Sequence, residues 1–230
     1  MKKWTLPLTN TRYKIMFDLH CHCIFSDGEL LPSELVRRVE VYGYKAIAIT
    51  DHADASNLEY IITAIKKVAS DINRFSSTML VPGIELTHIH PELISELTQE
   101  AKKLGAKVVV CHGETIVEPV RKGTNRAAIE AGVDVLSHPG LILPEDVETA
   151  AKKGVLLEIS GRKGHCLTNG HVARLAAIHG ASLVINSDAH APGDFMTKEH
   201  AEKVGLGAGL SLNEVSSIYE KAWDWLKAKL

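Results

Sequence analysis

Cysteine is scarce in this chain: Cys21, Cys23, Cys111 and Cys166 are the only four in 230 residues. Use this sparse excludes a disulfide framework as the scaffold. Cys21 and Cys23 stand close together, but a zinc knuckle wants a second cysteine pair nearby and there is none. Basic residues are not in surplus either. The formal net charge is −2, which argues against a sequence-independent grip on nucleic acid or on an anionic membrane. No apolar run reaches the length of a transmembrane helix. The chain opens Met1-Lys2-Lys3, yet Pro7, Thr9, Asn10 and Arg12 interrupt any signal-peptide core. A cytoplasmic protein is therefore expected, with no membrane partner and no stable nucleic-acid complex. Low-complexity linkers are missing too. What remains is 45% apolar and 23% charged residues, the balance of an ordinary globular protein. Its length suits one domain with a sizeable core, expected to span residues 1–230.

Short β-branched runs alternate with amphipathic stretches. Strands are expected at Lys14–Leu19, Ala46–Thr50, Met79–Leu86, Lys107–Cys111, Val133–Ser137, Val155–Ile159 and Ser182–Asn186. Between them fall helices at Pro32–Tyr42, Leu58–Phe75, Pro91–Leu104, Asn125–Ala131, Pro144–Lys153 and Asn169–His179. Proline in the first turn and glycine after the last mark several of these helices. Two further helices, Lys198–Val204 and Asn213–Lys229, close the chain. Strict β-α alternation demands right-handed parallel crossovers. An open doubly wound sheet would announce a glycine-rich phosphate loop after its first strand. Here polar residues follow nearly every strand instead, the mark of the active-site face of a closed barrel. A seven-stranded α/β barrel is expected, one strand short of the usual eight.

The polar residues at those strand ends carry the chemistry. Asp18-Leu19-His20-Cys21-His22 closes the first strand. Residues two apart on a strand share a face about 6–7 Å apart, so His20 and His22 can reach one metal or two adjacent ones, while Cys21 and Cys23 turn the other way as buried thiols. The pattern returns in altered form at Asp188-Ala189-His190, and Asp51-His52, Glu85, His112 and His138 lie between. Six of the twelve histidines thus follow strand ends. Packed without metal, these groups would be crowded and poorly satisfied. Imidazole and carboxylate donors suit zinc, iron or manganese. Nine donors (His20, His22, Asp27, His52, Glu85, His112, His138, Asp188, His190) exceed the needs of one ion and suit two or three.

The runs Asp-Leu-His-Cys-His with Ser26-Asp27-Gly28, Ile49-Thr50-Asp51-His52, Gly83-Ile84-Glu85, Ser137-His138-Pro139-Gly140 and Ser187-Asp188-Ala189-His190 resemble the PHP family of polymerase- and histidinol-phosphatase-type phosphoesterases, in the family's order from residue 16 to about 195. The resemblance implies a distorted seven-stranded TIM-like barrel, a trinuclear metal centre and phosphoester hydrolysis. It further implies that His20, His22, Glu85 and Asp188 hold a first ion, that Glu85 bridges to a second held by His112 and His138, and that Asp27, His52 and His190 hold a third. Some relatives have histidine where this chain has Asp27, an oxygen donor that shifts preference toward manganese or iron. Asp51 is expected to support His52 from behind. Metal-activated hydroxide then makes a serine or cysteine nucleophile unnecessary.

For the substrate, Arg162 is expected to fork onto a phosphate, assisted by Lys163 or His165. Glu158 is expected behind the ligands. His88-Ile89-His90 is either a pocket wall or a surface turn, and Glu114 and Asn125 are candidate selectors. The absence of a long insertion favours a small phosphorylated substrate, with a histidinol-phosphate-phosphatase-like activity; a nucleotidase or oligonucleotide phosphodiesterase of the same family is the alternative. Amidohydrolases also open with His-X-His, but they want a bridging lysine and a lone terminal aspartate where this chain has Glu85 and Asp188 with His190. A non-catalytic metal-binding scaffold would have lost ligand positions, and here all nine are filled.

Overall fold

The computed structural model describes residues 15–230. Lys14, at the start of the expected first strand, and the opening stretch weighed as a leader lie outside the described residues. The strands are β1 (Met16–Asp18), β2 (Tyr44–Ile49), β3 (His52–Ala53), β4 (Met79–Leu86), β5 (Val108–His112), β6 (Val135–Ser137), β7 (Leu156–Ser160) and β8 (Leu183–Asn186). Every pairing is parallel, in the order β1-β2-β4-β5-β6-β7-β8, with β3 pairing β4 just beyond the end of β2. Eight segments thus make seven staves, the second broken at Thr50-Asp51. That break escapes a pattern search because β3 is only two residues long.

The helices are α1 (Pro32–Val41), α2 (Leu58–Ile72), α3 (Pro91–Leu104), α4 (Thr124–Ala131), α5 (Pro144–Lys153), α6 (Asn169–His179), α7 (Lys198–Gly207) and α8 (Leu212–Lys229). Each buries one stripe against the sheet; α2 does so with Leu58, Ile61, Ile62, Ile65 and Ala69. Proline opens α1, α3 and α5. α3 stops at Gly105, whose φ of 100° suits a residue without Cβ. α2 ends before the expected Phe75 because Asn73 turns to the sheet, its Nδ2 donating to Leu80 O (3.0 Å) and its Oδ1 accepting from Leu80 N (2.7 Å). A capping box of Ser211 and Glu214 starts α8. The strands are covered on both faces: Ile47, Ile49, Val108, Val109 and Val110 are all buried, which is why their sequence shows no alternation.

Closure between the first and last staves is irregular. Beyond the ends of β1 and β8 one parallel bridge joins Cys21 to Ala189, with His22 N donating to Ala189 O (2.8 Å) and Asp188 N to His20 O (3.0 Å). Below it, side chains replace the ladder: Asn186 Oδ1 accepts from Leu19 N (3.0 Å) and Asp18 Oδ2 from Ser187 N (2.9 Å). The seam therefore sits where His20, His22, Asp188 and His190 emerge. Distortion of the barrel and assembly of the site are one feature. Among the described residues no helix is long and apolar enough to cross a membrane.

Candidate metal centre

Glu85, near the end of β4, is the hub of the mouth. Its Oε1 accepts from Ser137 Oγ (2.7 Å) and lies 3.2 Å from His20 Nε2, while Oε2 lies 2.7 Å from His52 Nδ1 and 3.7 Å from His22 Nε2. Asp188 faces it from the last stave, its Oδ1 3.3 Å from His22 Nε2 and 3.6 Å from His20 Nε2. The two imidazole Nε2 atoms are 3.1 Å apart. Donors about 2.0–2.1 Å from one tetrahedral ion sit about 3.3 Å from each other. These four side chains are spaced for such an ion. They are also fully or almost fully buried, and among the described residues His22 Nδ1 and His138 Nδ1 have no hydrogen-bond partner.

His20 is fixed from behind. Its Nδ1 is 2.7 Å from Glu158 Oε2, which also accepts from Asn186 Nδ2 (2.9 Å). Glu158 thereby sets the tautomer that leaves Nε2 free toward the mouth. A second group gathers on the open side: Asp27 Oδ1 lies 3.2 Å from His190 Nε2, 3.6 Å from His52 Nε2 and 3.9 Å from His22 Nδ1. Asp51 does not touch His52. Its Oδ1 accepts from Cys23 N, Ser26 N and Ser26 Oγ, and Oδ2 from Cys23 Sγ (2.8 Å), so it braces the turn that carries Asp27. Cys21 Sγ donates to Ala48 O (3.2 Å). Burial raises both thiols and the Asp51 carboxylate adds to it, so they remain protonated packing groups.

The third sector departs from expectation. His138 Nε2 is 3.8 Å from Glu85 Oε1 and 3.6 Å from Asp188 Oδ2. His112 stands next to His138, ring centroids 4.4 Å apart, but its Nε2 is paired at 3.1 Å with Glu118 Oε2 rather than with Glu85. Glu118 rides on the loop of residues 113–123, where no periodicity marks it out. It also reaches His88 Nε2 (3.5 Å) and His165 Nε2 (3.4 Å). His88 is therefore part of the mouth, whereas His90 caps α3 by accepting from Glu92 N. Glu114 and Asn125 tie that loop down: Glu114 Oε1 accepts from Gly123 N and Asn125 N, and Asn125 accepts from Glu114 N while donating to Pro139 O. They act as structural pins rather than free selectors. A Cβ at Gly140 would overlap the Glu114 carbonyl, which is why glycine follows His138-Pro139.

Of the three residues expected to meet substrate, Arg162 lies at the mouth. Its Nη1 donates to Asp188 O (3.1 Å), stands 2.7 Å from His190 Nδ1, and its side chain is 32% exposed. His165 is buried, bonded to Thr115 Oγ1 (2.8 Å) and stacked on His138 at 4.0 Å. Lys163 is exposed and makes no hydrogen bond or ion pair to a described residue. Among the described residues three non-glycine residues adopt positive φ: His88 (54°), His138 (25°) and Asp188 (54°). All three line the mouth, where the surrounding fold holds a costly backbone.

Carboxylates and imidazoles crowd together here and shift one another. Burial pushes Asp188 up to about 7; His20 opposes that, and the Glu85 and Glu158 carboxylates add to it. Burial favours protonation of Glu85, yet His20 and His52 hold it well below the usual carboxylate range. Burial keeps His22 and His138 well below the ordinary imidazole value, so they are neutral and their lone pairs can bind metal. The residues present fit a set of divalent ions.

A parallel barrel whose strand ends present imidazoles and carboxylates is a β/α barrel with a candidate metal centre at its mouth. The PHP domain family model matches residues 18–165, and the chain belongs to that family. It is a hydrolase acting on phosphoester bonds. An uncharacterized protein of Methanocaldococcus jannaschii is 47% identical over 203 residues, 87% of this chain and 93% of that protein. A protein named "Probable phosphatase" from Thermoanaerobacter sp. is 29% identical over 242 residues, 94% of this chain and 96% of that one. A 5'-3' exoribonuclease of Haemophilus influenzae is 30% identical over 108 residues, 44% of this chain; the chain spans only 39% of its length. The fold is shared with a "putative histidinol phosphatase" structure from Listeria monocytogenes, with a TM-score of 0.56 at 13% identity, covering 78% of this chain and 97% of that one.

Proposed function

We propose that the chain hydrolyses a small phosphomonoester, in the manner of a histidinol-phosphate phosphatase, with two or three divalent zinc, manganese or iron ions. His20, His22, Glu85 and Asp188 would hold one ion; Glu85, His112 and His138 a second; Asp27, His52 and His190 a third. The observation that carries this is the convergence of the His20, His22, Glu85 and Asp188 donor atoms at 3.1–3.7 Å in a buried pocket. Ions bound in such a site lower the pKa of water and neutralise developing phosphate charge.

The chain's own side chains do the rest. Glu158 keeps the His20 Nδ1 proton and so fixes the orientation of the ring. Ser137 and His52 hold the Glu85 carboxylate from its two oxygens. Arg162, half-buried beside Asp188 and His190, is placed to pair with phosphate oxygens as a fork. His165, stacked on His138, lines the same wall, and Lys163 is left to longer-range attraction. Among the described residues the strand-to-helix connections carry no inserted domain, which supports a small substrate. Unpaired thiols at Cys21, Cys23, Cys111 and Cys166 accord with a reducing, cytoplasmic setting.

Similarity to an exoribonuclease favours a second reading, a nucleotidase or oligonucleotide phosphodiesterase using the same centre. A panel of histidinol phosphate, sugar phosphates, nucleoside monophosphates and short oligonucleotides, each under zinc, manganese and iron, separates the two. The highest kcat/KM on a non-nucleotide monoester is expected. A preference for oligonucleotides overturns the first reading, and no turnover on any of them overturns both.

A further inference from the structure

Taking the mouth as a metal centre, we infer that His88 and Glu118 are additional ligands in its second sector, so that the ion bound by His112 is shared with the loop of residues 113–123. His112 has one nitrogen to give. Its Nδ1 is 3.2 Å from Gly113 O and is the proton-bearing atom, which leaves Nε2 as the donor. That atom lies 3.1 Å from Glu118 Oε2, and the same oxygen is 3.5 Å from His88 Nε2. Among the described residues His112 makes no comparably close approach to Glu85, whose oxygens are taken up by His20, His22, His52 and Ser137. An ion that uses His112 therefore lies within reach of Glu118 and His88.

The backbone is arranged for this. His88 holds a left-handed φ of 54° and stacks on His112 with ring centroids 5.1 Å apart. With the backbone in that conformation, its Nε2 lies 3.5 Å from Glu118 Oε2. Thr115 on the same loop grips His165, and Glu114 and Asn125 lock both loop ends, so the carboxylate is held over the mouth. A bare carboxylate there would repel an incoming phosphate. Bound to a cation it stops doing so and adds an oxygen donor to the imidazoles of the site, a set suited to zinc, manganese or iron.

The test reads metal directly. Wild-type protein, Glu118→Gln, His88→Ala and the double variant are loaded with Zn2+ or Co2+, desalted, analysed for ion content, and titrated against a chromogenic chelator. The double variant is expected to lose one ion per chain, or to bind its weakest ion about ten- to hundredfold less tightly. Its Co2+ form is expected to show a changed visible spectrum. Both side chains are partly exposed, and circular dichroism of the metal-free proteins checks that the fold is retained. If wild-type and double variant hold the same ions with the same affinity and spectrum, the assignment of His88 and Glu118 is wrong while the metal centre stands. If wild-type protein retains no ion at all, both fall.

Discussion

The floor of the mouth and its rim are built in opposite ways. His20, His22, Glu85 and Asp188 emerge at or just past strand ends and are buried to 2% exposure or less. Asp27, His88, Glu118 and Arg162 arrive on loops, with side chains 55, 44, 37 and 32% exposed. Floor donors are held by sheet register and by partners such as Glu158 and Ser137, so their geometry is fixed before anything binds. Rim groups are held by short pins, Asp51 under the Asp27 turn and Glu114 with Asn125 under the Glu118 loop. On the proposed function the two would divide the work, the floor fixing the chemistry and the rim adjusting ion affinity and substrate choice.

Breaking the floor should have the largest effect. Glu85→Ala removes the shared carboxylate and is expected to lower turnover of an aryl phosphate at least about a thousandfold, the equivalent of roughly 4 kcal/mol. Steady-state kinetics beside circular dichroism will show whether activity goes while the fold stays; undiminished turnover would mean that the hub is misassigned. A rim change should cost less. Arg162→Ala is expected to raise KM about tenfold with a smaller change in kcat, as expected for loss of a phosphate contact. An unchanged KM would remove Arg162 from the substrate site.

A site far from both sharpens the contrast. Glu40 accepts from Ser77 N, Ser76 Oγ and Ser77 Oγ and pairs with Arg37, which lowers its pKa from the ordinary 4.5 to about 2. A depressed carboxylate stabilises the fold above its unfolded pKa, and that stabilisation fades as pH falls through the folded value. Glu40→Ala should therefore lower Tm at pH 6, lower it progressively less from pH 4.5 down to pH 2, and leave kcat/KM alone. A loss of Tm independent of pH would refute the ionic account of that contact.

Much of the floor was legible in the sequence because strands impose period two. His20-Cys21-His22 and Asp188-Ala189-His190 announce the two staves that meet at the seam, and both lie there. The helix boundaries followed proline and glycine, except where a side-chain clasp such as Asn73 on Leu80 ended α2 early. The rim was harder to read. Glu118 sits in an aperiodic loop and only the closing of the barrel brings it to His112, so no spacing rule finds it. Asp51 neighbours His52 in sequence, yet the break between β2 and β3 turns it toward Cys23 and Ser26. Lys163 follows Arg162 but faces solvent. Adjacency in sequence stands in for adjacency in space only while a regular element continues.

Metal removal tests the central claim most directly. The protein is stripped with a chelator until no transition metal is detected, assayed on an aryl phosphate, and then reloaded with zinc, manganese or iron. Turnover is expected to fall at least about a thousandfold and to return with one of the three ions. Full turnover by the metal-free protein would contradict the account.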